Sequence, residues 1–135
     1  MTPYQSKYSK IKGDRYQEVR NQALTLFNQI QKKTKRRAYI KSAYFTKQKI
    51  FFDYFWKHLY QKPPKERFKR LKYFQVAVDL VRNSKNHPVT IQNPNKPNEN
   101  LHRFAGLTQE KELFYVQIKE NKRTGKKDFM SCFPA

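Results

Sequence analysis

The residues of this chain that could do chemistry crowd into its last third. In Leu113–Glu120 (LFYVQIKE) alternation puts Phe114, Val116 and Ile118 on one face of a strand and Tyr115, Gln117 and Lys119 on the other. The first face reads as core. The second is polar, basic and aromatic, and His102 with Arg103 lies on a neighbouring strand, Leu101–Thr108 (LHRFAGLT). A third strand, Asp128–Phe133 (DFMSCF), carries Ser131 and is preceded by Lys127. Cations hold phosphates and flat rings receive unstacked bases, so this grouping suits RNA. Glu120, by strict alternation, falls on the Phe114 face.

Two short links position these strands. Gln109 to Glu112 is tight and polar, and Asn121 to Lys127 is basic, with Gly125 available for a positive-φ position. The three strands therefore form an antiparallel meander, and His87–Gln92 (HPVTIQ) adds a short strand ahead of it, before the Asn- and Pro-rich loop 93–100. Upstream the pattern is helical. Tyr16, Val19, Ala23, Leu26 or Phe27, and Ile30 recur at threes and fours behind Asp14, a candidate cap. A second helix is expected over about 46–61 from Ile50, Phe51, Tyr54, Phe55 and Leu59, ended by Pro63 and Pro64. A third follows from Lys65, with Phe68, Leu71, Phe74 or Gln75, Val78 and Val81 inward. His58, without an evident partner, reads as structural.

With 135 residues, the chain fits one domain with its own core. The expected layout is a flexible basic arm (1–14), a helical part (15–84) and an antiparallel sheet (87–134) that carries the site. The fold class is then α+β, N-terminal helices packed on a small antiparallel sheet of three to four strands. Thirty Lys and Arg against ten Asp and Glu give a formal net charge of +20, spread along the whole length. A polyanion partner follows, RNA first, with DNA or an acidic protein as alternatives. Lys35, Arg36 and Arg37 belong to a basic cluster (KKTKRR) that is either a solvated turn or a phosphate contact. Arg67, Lys69 and Arg70 sit near the start of the third helix, where the macrodipole disfavours cations, which points to phosphate gripping. Lys122 and Arg123 occupy a hairpin tip, as phosphate contacts or a solvated turn.

One cysteine, Cys132, rules out an intramolecular disulfide and a cysteine-based zinc site, and a strand position suits packing better than nucleophilic attack. No stretch approaches the ~20 apolar residues of a membrane span, and no signal-like run opens the chain, so a cytoplasmic location without membrane association is expected. Walker, dinucleotide-binding and zinc-protease motifs are missing, and the acids are too scattered for a two-metal nuclease. No cofactor and no metal is expected.

The runs HRFAG, ELFYVQIKE and KKDFMSCFP resemble the barnase, EndoU, colicin and RelE group of metal-independent ribonucleases, in particular its phage- and plasmid-borne branch. The resemblance covers about Ile91 to Pro134. It implies RNA cleavage by attack of the 2′-hydroxyl, as in toxins of mobile elements, and an acidic antitoxin or immunity protein as partner. Carried over by position, His102 becomes the general acid or base. Arg103, Lys119 and Lys127 become phosphate clamps, Ser131 a hydrogen-bond donor to phosphate, and Tyr115 a stacking or proton-donating ring. The residues also admit plainer roles. His102 could satisfy a loop, Ser131 could be a structural hydroxyl, and Lys127 could be part of a solvated tip. An endoribonuclease is the leading expectation, and a non-catalytic RNA- or DNA-binding protein, including a degenerate nuclease fold, is the alternative.

Overall fold

The computed structural model describes residues 2–135. Chain order gives β1 (Tyr4–Gln5), α1 (Tyr16–Lys32), β2 (Tyr39–Ser42), β3 (Gln48–Phe51) and α2 (Phe55–Tyr60). There follow α3 (Pro64–Leu71), α4 (Phe74–Asn83), β4 (Val89–Gln92), β5 (Glu99–Leu107), β6 (Leu113–Asn121) and β7 (Lys127–Pro134).

The strands make one mixed sheet in the order β1-β5-β6-β7-β3-β2, with β4 also paired to β5, and the sheet curls into a half-barrel. This corrects the expected fold class. The structure is a mixed α/β arrangement of seven strands and four helices among the described residues, not a small sheet of three or four strands under N-terminal helices. The meander β5–β6–β7 is present and antiparallel, but it is the middle of the sheet. β4 pairs antiparallel with β5, and the N-terminal half supplies β1, β2 and β3: β3 pairs parallel with β7, and β1 pairs parallel with β5.

The difference arises in two segments. Tyr39–Phe51 forms a hairpin where the helical spacing of Ile50, Tyr54 and Phe55 predicts a helix from about residue 46. Ile40 and Ile50 pair across it and are both buried, while Lys41 and Lys49 pair on the outside. Its turn carries Thr46 and Lys47 at φ 57° and 64°, a left-handed pair without glycine. The helix from Lys65 is broken at Tyr73, whose backbone leaves the helical region at φ −94°, ψ 5° and lets its ring stack on Phe114 at 5.8 Å. The N-terminal segment runs along β5, and Ser6 Oγ donates to the buried Asp79 at 2.7 Å, which anchors it.

The helices cover one face of the sheet, onto which β6 sends Phe114, Val116 and Ile118, all fully buried. Phe129 of β7 stacks on Phe52 at 5.1 Å and meets the edge of Phe55 at 5.2 Å, with Phe74 tilted against all three. Each such ring contributes on the order of 2 kcal/mol by burial alone, so this cluster anchors α2 and α4 to the sheet. Gly106 is required where it is: a Cβ there would overlap the ring of Phe114 and come within 2.8 Å of Leu80 Cδ1. Because β3 pairs with β7 only at Lys127 and Asp128, the remaining length of β7 is flanked by α2 and α3. That is what brings helical side chains to the rim of the opposite sheet face. No helix among the described residues is long and apolar enough to cross a membrane.

Candidate nucleic-acid interface

The sequence gathers His102, Arg103, Tyr115, Lys119, Lys127 and Ser131 into one prospective site, and the structure divides them between the two faces of the meander. Register decides the division. His102 pairs with Ile118 and so shares the helix-covered face, whereas Arg103 pairs with Gln117 and Leu101 with Lys119, on the open face. Lys127 pairs with Glu120, next along the covered face from Ile118.

On the covered face His102 is 6% exposed and both ring nitrogens are engaged. Nδ1 lies 2.8 Å from Thr90 Oγ1, and Nε2 lies 2.8 Å from Glu120 Oε1. The other oxygen of Glu120 receives Lys127 Nζ at 3.1 Å. Lys127, 5% exposed, donates also to Gln48 and to the Gly125 carbonyl, and sits 4.9 Å over the Phe45 ring. Phe45 in turn sets its ring against that of His102 at 5.0 Å. Burial by itself would raise the Glu120 carboxyl, but hydrogen bonds from His102 and Lys127, with the Lys127 charge, hold it below its ordinary value. This is a closed, satisfied polar cluster. It has no free nitrogen on His102 to offer a substrate.

The open face is different. Its rows run Val89–Arg103–Gln117–Ser131, Ile91–Leu101–Lys119–Asp128 and Ala105–Tyr115–Phe133 across the strands. A bulge in β7 opposite Gln117 and Ile118 inserts Met130, so that Cys132 continues the buried row of Phe129 while Ser131 and Phe133 turn to the open side. There Arg103 lies 5.2 Å from the Phe133 centroid and 5.7 Å from that of Tyr115, and donates to Gln117 at 3.1 Å. Arg70, from α3, approaches Phe133 at 5.1 Å and donates to Ser131 Oγ at 2.6 Å. Lys119 Nζ rests 3.7 Å over the Tyr54 ring, and Tyr54 stacks on His58 one helical turn later, 5.3 Å away. Val89 and Ile91, 50% and 55% exposed, form an apolar border on β4.

His58 is half-buried, and its pKa is lowered from the ordinary 6.5, first by burial and then by the charges of Lys62, Arg70 and Lys119. Its imidazole is therefore neutral at neutral pH. The sequence reads it as structural, although a signal is there: Tyr54 and His58 stand four apart and so lie on one side of that short helix, beside the Phe55–Leu59 pair. Gln48, Thr90, the ring of Tyr54 as a partner of Lys119 and His58, and Glu120 as a partner of His102 are not singled out by the sequence.

The remaining sequence-derived contacts are scattered. Arg67 donates to the carbonyls of Lys62 and Tyr60 at 2.8 and 2.9 Å, closing the end of α2. Lys69 is exposed on α3. Lys122 and Arg123 are exposed at the β6–β7 tip, Lys122 near Gln92 at 3.3 Å. Lys35, Arg36 and Arg37 lie exposed beyond α1, Arg37 facing Asp53 at 3.6 Å. Cys132 is fully buried, and burial pushes its thiol up to about 12, so it is held as a packing group. No three His, Cys, Asp or Glu residues among the described residues are grouped so as to hold a metal ion. No family model, curated protein or solved structure matches the chain.

Proposed function

We propose that this chain binds single-stranded RNA across the open face of the meander and cleaves it without a metal, with His58 rather than His102 moving the proton. The observation that carries the reading is the setting of His58: a neutral, half-buried imidazole stacked on Tyr54, with Lys119 and Arg70 close enough to depress its pKa. Bases unstacked from the strand would meet Tyr115, Phe133 and the apolar border of Val89 and Ile91. Phosphates would meet Arg103, Lys119 and Arg70. His58 would take the 2′-hydroxyl proton as the 2′-oxygen bonds to phosphorus, the cations would stabilise the charge that develops on the phosphoryl oxygens, and the P–O5′ bond would then break with the leaving 5′-oxygen taking a proton from solvent. The net charge of +20 supports an RNA partner for that face.

The test is cleavage of total RNA in EDTA with detection of 2′,3′-cyclic phosphate ends. His58→Gln is expected to lower the rate by about 10²–10⁴-fold while leaving RNA affinity and thermal stability unchanged. The rate of the native chain should fall as pH drops through a value below 6.5. RNA binding with no cleavage by the native chain would instead establish a non-catalytic RNA-binding protein, a reading the aromatic and cationic rows of the open face support on their own.

A further inference from the structure

A second cationic surface lies along β2 at the far end of the sheet, beyond the meander, where the row of Lys119 and Asp128 runs on through Phe51 to Tyr39. Two adjoining hollows of about 680 and 730 Å³ meet at Lys33, Thr34 and Tyr39 and make one trough past the end of α1. The first is bordered by Lys41, Lys47, Arg82 and Lys85, the second by Arg36 and Lys49 among others, and no carboxylate lines either one. Helix ends account for part of this charge. The C-termini of α1 and α4 favour Lys33 and Arg82 whatever else they do. Lys41, Lys47 and Lys49 come from β2, the following turn and β3, and answer to no helix. Lys47 is held there by a left-handed backbone, φ 64°.

The trough differs from the open face in its proportion of cations to rings. Its lining sets nine Lys and Arg residues against two rings, Tyr39 and Phe51, whereas the open face sets Arg70, Arg103 and Lys119 among Tyr54, Tyr115 and Phe133. A surface of many cations and few rings grips phosphates and offers little to unstacked bases. Paired RNA presents that chemistry, with its bases turned inward and its phosphates outward. We propose that this trough takes the phosphate backbone of a double-stranded RNA stem. Resting on the reading that the open face takes unpaired RNA, it follows that the substrate is an RNA in which a stem adjoins a single strand.

Fluorescence anisotropy of the full chain with three probes tests this: an unpaired RNA, a blunt RNA duplex, and a stem carrying the same unpaired segment. The triple variant Lys41→Gln, Lys47→Gln, Arg82→Gln should bind the duplex at least tenfold more weakly and reduce its salt slope by about three, roughly one for each cation lost. Its affinity for unpaired RNA should be unchanged. Equal weakening toward unpaired and duplex probes would reduce the trough to general charge and overturn the proposal, as would unchanged duplex binding. Displacement by polyglutamate from a trough that binds no duplex would also overturn it, in favour of an acidic protein partner. The open-face reading is tested separately by Arg103→Gln with Lys119→Gln. If that variant binds unpaired RNA normally, the first reading fails while the duplex result still decides the trough.

Discussion

On the helix side of the meander Lys127 and His102 are 5% and 6% exposed with Glu120 between them. On the open side Arg103 and Lys119 meet rings, and among the described residues neither has a carboxylate in ion-pair range. The same strands thus treat charge in two ways. A cation taken out of water needs a counter-charge and every hydrogen bond filled, since desolvation would otherwise destabilise the fold by several kcal/mol. A half-exposed cation over an aromatic face keeps its water on one side and its capacity to bind an anion. Buried charge here is structural because it is complete. Exposed charge is available because it is not.

The contrast breaks most visibly at Glu120. Glu120→Ala strands Lys127 and leaves His102 Nε2 without its acceptor. It should lower stability by about 3 kcal/mol, read as a thermal midpoint drop on the order of 10 °C. The double variant Glu120→Leu, Lys127→Met, which removes both charges together, should recover most of that loss. If Glu120→Ala leaves the midpoint unchanged, the cluster is not structural and His102 returns as a candidate for chemistry.

A smaller effect sharpens the same point through pH. The folded-state pKa of Glu120 lies below its ordinary 4.5, so its stabilisation is complete above that value and is lost as pH falls below it. As pH falls from 4.5 downward the native chain should lose stability that Glu120→Gln does not lose, measured by urea unfolding at each pH. Parallel curves for the two proteins would mean that the carboxylate is not held by its neighbours.

On the open side the stability change should be smallest and the binding change largest. Arg103→Ala is expected to alter stability by less than about 0.5 kcal/mol while reducing the salt slope of RNA binding by about one. A loss of stability comparable to that of Glu120→Ala would erase the distinction between the faces.

Much of the meander is legible because alternation over eight residues leaves little freedom: Phe114, Val116 and Ile118 are inside, Tyr115 and Lys119 outside, and Glu120 on the Phe114 side. His102 is misplaced by sequence because adjacent residues on a strand cannot share a face, and only register says whether His102 or Arg103 turns to the core. Ser131 needs knowledge of the bulge at Met130, which shifts the phase of the strand midway. The hairpin at 39–51 hides behind an accidental helical spacing, its strands being four residues each, too short for a period of two to outweigh one of 3.6. The parallel partners of β5 and β7 are 75 or more residues away in sequence and leave no local trace. The setting of His58 depends on that non-local step, since α2 and α3 reach the rim only where β3 stops.

The strand order has a consequence for how the molecule comes into being. β7 is made after the six other described strands, yet in the sheet it lies between β6 and β3. Until it is made, the early hairpin β2–β3 and the pair β5–β6 have no shared hydrogen bonds, and Phe52 and Phe55 lack the Phe129 ring between them. Neither half can close its core alone, so assembly waits on a late, long-range pairing of the kind that folds slowly. Phe133 and Ser131, which orient Arg70 and Arg103, arrive with the same strand. A nascent chain therefore carries its positive charge past the ribosomal RNA well before it owns an ordered surface with which to use it.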